Sequence, residues 1–344
     1  MIYYSQTLRL YHNICFERNI LAMSNAKCLY IVVPCYNEEE SIANTSSVLS
    51  NKLDSLIEQG IISANSRIIF VDDGSRDRTW KIISDLFGIN QYIIGLQLAH
   101  NRGHQNALLA GLMYSKTRCD YTISIDADLQ QDVNAIEHFI NEYNKGSEIV
   151  LGVRNSRDTD SFFKKTSASV FYRLMNFLGG NIETNAADYR LMSSKALDAL
   201  SEYGEVNLFL RGIVPEIGLK SSIVHFDVFP RTQGTSKYSL SKMLTLALDG
   251  ITSFSIRPIR IVFSMGIIAL FICFAMIIHI FYEHYYGTTV SGWSSILASI
   301  WGLGAATLIS LGVIGEYVGR NYMESKHRPR YYLSDILSHE GKDE

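Results

Sequence analysis

No pair of cysteines in this chain is spaced as a metal site or a disulfide framework would be. Cys15, Cys28, Cys35, Cys119 and Cys273 stand apart, so they read as reduced, incidental thiols. A marked excess of acidic or basic residues is lacking too. The formal net charge is −3 over 344 residues, and no global field argues for nucleic acid as a partner. There is no internal repeat and no low-complexity segment. The first residues lack the continuous apolar stretch of a signal peptide, because Arg9, His12, Glu17 and Arg18 interrupt it. Residues 1–27 therefore read as an N-terminal tail. Met23 opens a short polar lead into the first strand, so residues 1–22 are either an overextended start or a loose tail.

Lys and Arg are missing between Arg260 and Arg320. Within that gap Ile261–Tyr282 runs 22 residues with no Asp, Glu, Lys or Arg, enough for a helix to cross about 30 Å of hydrocarbon. After the polar stretch Glu283–Gly292, a second apolar run covers Trp293–Ile314. A buried core helix imitates one such run, but two joined by a short polar loop predict a membrane hairpin over 259–319. Arg257 and Arg260 precede the pair, and Arg320, Lys326, Arg328 and Arg330 follow it. The positive-inside rule puts both flanks in the cytoplasm. The large N-terminal region is then cytoplasmic, at the inner face of the cell membrane, and residues 320–344 are a cytoplasmic tail. Two basic amphipathic segments, Phe162–Leu178 and Lys237–Ile256, are interfacial helices or ordinary surface helices. The second falls in a juxtamembrane segment, 231–258.

Residues 28–230 alternate strand and helix signals. Cys28–Pro34, Arg67–Val71, Ile93–Leu98, Tyr121–Ile125 and Ile149–Val153 are short β-branched runs. Ser41–Gln59, Thr79–Leu86 and Gln105–Tyr114 carry helical spacing between them. The pattern predicts an α/β domain with a mainly parallel sheet, whose ligands bind at the carboxyl ends of the strands. Four polar sequences stand there: Tyr36-Asn37-Glu38, Asp72-Asp73-Gly74-Ser75, Asn101-Arg102-Gly103 and Asp126-Ala127-Asp128.

Each of these has a bland reading beside a chemical one. Asp126 and Asp128 at a strand end offer two hard oxygens for Mg²⁺ or Mn²⁺, and Gln130 adds a neutral oxygen. Aspartates after strands are equally turn and cap residues. Asp73 suits the base or ribose of a nucleotide, while Ser75 or Asp77 would cap the next helix. Arg102 beside Gly103 suits a phosphate, or belongs to a polar loop.

As an ordered set the motifs say more. VVPCYNEEESI at 32–42, VDDGSRDRT at 71–79, NRGHQNAL at 101–108 and DADLQ at 126–130 are followed by LGVRNSR at 151–157, NAADYRLMS at 185–193 and RTQGTSKY at 231–238. This series resembles glycosyltransferase family 2, with its GT-A (Rossmann-like) fold. Combined with two C-terminal spans, it is similar to the polyprenyl-phosphate (bactoprenol or dolichyl-phosphate) glycosyltransferases. The resemblance implies that Pro34, Tyr36, Glu38 and Asp73 hold the nucleoside. It implies that Asp126, Asp128 and Gln130 bind the metal and diphosphate. Arg154, Arg231, Ser236 and Lys237 would face the acceptor and leaving groups. Asp188 matches a position where many inverting relatives keep a catalytic carboxylate. A lipid phosphate is already anionic at neutral pH and can attack without a base, so two roles stand open for Asp188: a catalytic carboxylate, or a residue that orients the sugar or acceptor.

The expected reaction is an inverting transfer of a hexose from a nucleotide sugar, UDP by default, to a polyprenyl phosphate. The lipid-linked sugar would serve cell-envelope glycosylation. Processive polysaccharide synthases of the same family carry a Gln-x-x-Arg-Trp motif, and none of Trp80, Trp293 and Trp301 follows that pattern. Transfer to a lipid hydroxyl is the other alternative, and intact metal ligands argue against a non-enzymatic scaffold. Membrane lipids are expected partners. Gly302, Ala306, Ser310, Gly315 and Gly319 permit close helix packing and suggest a homo-oligomer. A separate flippase is the remaining partner that the reading admits.

Overall fold

The structure, a computed structural model, describes residues 26–155, 186–205, 208–229, 257–286 and 292–339. It divides into two compact units, one holding an eight-stranded sheet and the other two long helices. The sheet unit opens with β1 (Leu29–Cys35), α1 (Ile42–Glu58), β2 (Arg67–Asp72), α2 (Thr79–Phe87) and β3 (Ile93–Leu98). It continues through α3 (His104–Ser115), β4 (Tyr121–Ser124), α4 (Ala135–Asn144) and β5 (Ile149–Arg154). β6 (Ala186–Ser193), α5 (Ser194–Ser201), α6 (Leu210–Glu216) and β7 (Ser221–Phe226) follow.

The long helices are α7 (Arg257–Tyr286) and α8 (Trp293–Ser325), after which β8 (Leu333–Leu337) returns to the sheet. The strand order is β7-β5-β6-β4-β1-β2-β3-β8, and only β6 and β8 run against the rest. The expected α/β, GT-A-like arrangement is therefore present, with a mixed sheet that is mostly parallel. All five predicted strands and the three predicted helices are found within a residue or two. β6, β7, β8, α4, α5 and α6 are additions.

β1 explains why the strands read as unbroken apolar runs. Both its faces are covered, and every residue from Leu29 to Cys35 is buried. One cover is α1, through Ile42, Leu49, Leu53 and Leu56. Another is α3, whose residues Ala107–Leu112 are all buried and which lies against β1 and β2. Gly111 lets it approach: a Cβ there would stand 2.3 Å from Val32 Cγ1 and 2.9 Å from Val71 Cγ2.

The helix unit corresponds in place to the predicted hairpin. α7 has 30 residues and α8 has 33, about 45 and 50 Å at the usual rise. Phe263, Ile268, Phe271 and Phe274 on α7 and Ile300, Leu308 and Leu311 on α8 are exposed, as lipid-facing side chains would be. Among the described residues one segment, Gly302–Ser325, is by length and apolar character a candidate to cross a membrane, and none of it is buried. That segment shares residues 302–314 with the predicted run Trp293–Ile314. The amphipathic segments Phe162–Leu178 and Lys237–Ile256 lie outside the described residues, as does the tail through residue 25.

Gly111→Ala sets helix propensity against packing. Alanine gains up to about 1 kcal/mol in a helix interior, while overpacking against two β-branched side chains fixed in strands costs about 1–3 kcal/mol. The clash should win, and thermal unfolding of the detergent-solubilised variant should show a lowered Tm. A raised Tm would mean that α3 shifts freely on the sheet.

Candidate active site

The loops leaving β1 and β2 are stitched together. Asn37, with a left-handed φ of 53°, donates its backbone N–H to Ser75 Oγ at 2.9 Å and accepts from the Arg76 N–H at 2.8 Å. The Glu38 N–H donates to Thr79 Oγ1 at 2.9 Å, and the Glu39 N–H to Asp77 Oδ2 at 3.2 Å. Pro34 is buried in β1, whereas Tyr36 and Glu38 sit half-buried in the loop, where Ser41 Oγ donates to Glu38 Oε2 at 2.9 Å. Asp77 accepts from the Thr79 backbone and hydroxyl, but the N-cap position of α2 falls to Arg78, with no side-chain cap, and not to Ser75 or Asp77.

Asp73 is almost wholly buried and turned toward the next loop. Its two oxygens accept the backbone N–H groups of Arg102 at 2.6 Å and Gly103 at 2.9 Å. Burial pushes its carboxyl up, and these two hydrogen bonds oppose that. Gly74 beside it has a φ of 64°, and a Cβ there would stand 2.7 Å from Asn101 N and His100 C. The β3 loop thus lies directly on the β2 turn. Gly103, at φ 88°, then starts α3 with His104.

The Asp-Ala-Asp segment follows β4 and is braced from three sides. Gln131, buried, accepts the Asp126 N–H at 2.9 Å and donates to Asp126 Oδ2 at 2.8 Å. Thr45 Oγ1 donates to the Ala127 carbonyl at 2.7 Å, and Asp128 Oδ1 accepts the Gln130 N–H at 3.2 Å across a left-handed Leu129. Burial raises the pKa of Asp126; His104 works against that, and the charges of Asp188 and Asp128 add to it. Among the described residues no group of three or more His, Cys, Asp or Glu side chains is arranged to hold an ion alone. Two hard carboxylates on one short loop still fit Mg²⁺ or Mn²⁺ of the kind that completes its shell with diphosphate oxygens and water.

The register of β4 with β6 brings in the fourth carboxylate. Ser124 pairs Arg190, so two residues further on Asp126 and Asp188 come side by side. Asp188, with its side chain 8% exposed, is gripped by two guanidinium groups. Arg211 Nε and Nη2 donate to its two oxygens at 3.2 and 2.9 Å, and Arg190 Nη2 donates to Oδ1. Arg190, itself buried, also donates to the Leu210 carbonyl at 3.2 Å. His104 Nε2 lies 3.7 Å from Asp188 Oδ2 and 3.8 Å from Asp126 Oδ1. Burial alone would raise the pKa of Asp188, but Arg211, then Arg190 and His104, outweigh it and hold the carboxyl well below the ordinary carboxylate range.

Of the residues predicted from sequence, Asp126, Asp128 and Asp188 therefore gather at one end of the sheet, with Asp73 and Arg102 in the adjoining turn. Arg154 ends β5, and Gln130 contributes backbone contacts to Asp128 and to Phe229. Arg231, Ser236 and Lys237 lie outside the described residues. Sequence reasoning missed Gln131, His104, Arg190 and Arg211. His104 and Arg190 stood inside quoted motifs, NRGHQNAL and NAADYRLMS, and Gln131 directly follows DADLQ. Arg211 had no signal.

Residues 30–201 match the family described as Glycosyl transferase family 2. The chain belongs to glycosyl transferase family 2. It is 50% identical over 312 residues to the uncharacterized glycosyltransferase YkoT of Bacillus subtilis (strain 168), covering 91% of this chain and 93% of that one. It is 37% identical over 310 residues to the bactoprenol glucosyl transferase of Shigella phage SfV, covering 89% and 97%. Among solved structures, the glucosyl-3-phosphoglycerate synthase of Mycobacterium tuberculosis in complex with Mn²⁺ and uridine-diphosphate-glucose is 14% identical, with a TM-score of 0.42, over 69% of this chain and 80% of that one. At that score the likeness bears on neither the fold nor the ligands of this glycosyltransferase.

Removing one member of a buried ion pair costs about 3–5 kcal/mol. Asp188→Ala should therefore destabilise the transferase by about that much, since Arg190 and Arg211 are left facing each other. The folded pKa of Asp188 lies below its unfolded value of about 3.9, so its stabilisation is fully present above that pH and is lost as pH falls through the folded pKa. Chemical denaturation in detergent should show a wild-type-to-variant gap that is constant from about pH 5 to 8 and narrows below about pH 4. A gap that changes between about pH 6 and 8 would mean that Asp188 is not held as an anion.

Proposed function

We propose that this glycosyltransferase moves a hexose from a UDP-sugar to a polyprenyl phosphate of the bactoprenol type, at the cytoplasmic face of the cell membrane. The observation that carries the reading is the state of Asp188. An alcohol acceptor needs a base to take its proton, and a base needs a pKa near the working pH. Asp188 is held far below that range by Arg211 and Arg190. An acceptor that arrives as an anion suits this site, and a phosphate monoester is one. The similarity to a relative named for transfer to bactoprenol, over most of both chains, supports the same choice.

In this reading the lipid phosphate oxygen attacks the anomeric carbon from the face opposite the leaving group. The bond from that carbon to the nucleoside diphosphate breaks, and the diphosphate departs with the electron pair. No proton moves, and the configuration inverts. Pro34, Tyr36 and Glu38 would line the nucleoside side, and Asp73 would hold the Arg102 loop against it. Asp126 and Asp128, with Gln130 near, would hold the divalent cation. That ion, when bound, supplies positive charge against the departing diphosphate. His104 and Arg211 border the same carboxylates and are oriented by them. Arg154, Arg231, Ser236 and Lys237 remain the residues proposed for the acceptor phosphate.

The membrane placement has its own support. β7 and β8 belong to one sheet, so the chain that leaves after Phe226 must come back to the same side before Leu333. Any helices that cross a bilayer in between must do so an even number of times. Two spans, α7 and α8, satisfy this where one would not.

Purified protein given UDP-glucose, Mg²⁺ and undecaprenyl phosphate should yield a lipid heavier by one hexose in mass spectrometry. EDTA should abolish the product and Mn²⁺ or Mg²⁺ restore it. Asp128→Asn should lose about a hundredfold or more in kcat with little change in Tm. Undiminished turnover in EDTA would remove the cation from the proposal, and transfer to a lipid alcohol in place of the phosphate would remove the acceptor.

For topology, a cysteine replacing Thr288 in an otherwise cysteine-free chain should react with an impermeant thiol reagent from outside intact cells. One replacing Ser338 should react only after lysis. Labelling of the Ser338 position from outside would overturn the cytoplasmic placement.

A further inference from the structure

The last strand of the chain reaches the loop that carries Arg102 and His104. β8 pairs antiparallel with β3, with Leu337 opposite Gly95, Ile336 opposite Leu96 and Asp335 opposite Gln97, until the register slips between Gln97 and Leu98. Leu98 then faces Leu333, so Ser334 is the extra residue of a bulge, a feature that commonly re-aims backbone beside functional sites. Ser334 Oγ donates to the Gln97 carbonyl at 3.2 Å. One residue beyond the strand, the Ala99 N–H donates to the Tyr332 carbonyl at 2.9 Å.

From there the loop runs through His100 and Asn101 to Arg102 and Gly103, whose N–H groups Asp73 accepts. Tyr332 thus grips one end of the loop and Asp73 the other, and His104 follows directly, beside Asp126 and Asp188.

β8 is itself well seated for an edge strand of five residues. Leu337 Cδ1 lies 3.1 Å from where a Cβ on Gly95 would stand, so the missing side chain makes its seat. His339 stacks on Phe87, with ring centroids 4.1 Å apart, and Arg330 donates to the Tyr203 carbonyl.

We propose that β8 is a positioning element of the transfer site. By fixing the Ala99–Gly103 loop from the side opposite Asp73, it sets His104 against Asp126 and Asp188 and keeps the donor side of the site in shape. Segment 330–339 is then part of the active centre's frame. The donor side is the one assigned under the proposed function, and the proposal rests on that reading for its kinetic arm alone.

The test uses the full chain in detergent. Leu333→Asp combined with Leu337→Asp should release β8. Hydrogen exchange at the Ala99, Arg102 and Gly103 amides should then quicken about tenfold or more, while β1, β2 and β4 keep their protection. KM for UDP-glucose should rise about fivefold or more, with KM for undecaprenyl phosphate unchanged. Leu337→Met, which keeps the volume at Gly95, should restore both quantities when it replaces Leu337→Asp in an otherwise native chain.

Should the double change unfold the whole sheet, Leu337→Ala, which trims only the contact at Gly95, decides by the same two readings. An unchanged loop with β8 released overturns the proposal, and so does a loosened loop with an unchanged donor KM. If the unaltered protein does not use UDP-glucose, a loosened loop still upholds the brace and it is the proposed donor that fails.

Discussion

The site is organised around one buried carboxylate that two arginines do not let go. Asp188 cannot stay charged in the interior without them, because an uncompensated buried ion costs several kcal/mol. Arg190 in turn is a buried guanidinium that needs an anion. This mutual need ties β6 to α6, since Arg190 also holds the Leu210 carbonyl and Arg211 follows on the same helix. It also sets the charge that Asp126 and His104 experience from the neighbouring strand. A carboxylate so occupied is an anchor for surrounding cations more than a proton acceptor.

Around that anchor the strand-end loops are held by one another. Asn37, Glu38 and Glu39 bond across to the Ser75–Thr79 turn, Asp73 takes the backbone of the β3 loop, and Gln131 embraces Asp126 by both backbone and side chain. Rigid strands with mutually bonded loops are a way to keep several side chains in fixed relation without burying the loops themselves.

How much of this could be read from the residues alone depended on whether the signal was local. β1 to β5 are continuous β-branched runs between turn residues, and they were legible as buried parallel strands for that reason. β6 was not, because Asp188 and Arg190 interrupt its apolar pattern and find their partners only in three dimensions. β8, a five-residue edge strand with exposed Ser334, Asp335 and Ile336, resembles a solvated tail until its pairing with β3 is seen. In the site, Asp126 and Asp128 were legible from their spacing after a strand. Gln131, Arg190 and Arg211 were not, since what identifies them is a hydrogen bond to a residue on another element. Asp73 was legible as a polar residue at a strand end, but its burial and its bonds to Arg102 and Gly103 depend on the close approach that Gly74 permits.

The place of β8 in the sheet also governs when the enzyme can exist during its own synthesis. β1 to β7 leave the ribosome first, with β3 still an open edge. About a hundred residues, including both long helices, separate Phe226 from Leu333, which at ordinary elongation rates is about 5–20 seconds of translation. The edge is covered only after α7 and α8 have been made. A nascent or truncated chain that has not yet delivered its helices therefore carries an unfinished sheet with an exposed β3 edge, open to pairing with another chain. Ribosomal order thereby couples completion of the sheet unit to prior emergence of the apolar helices.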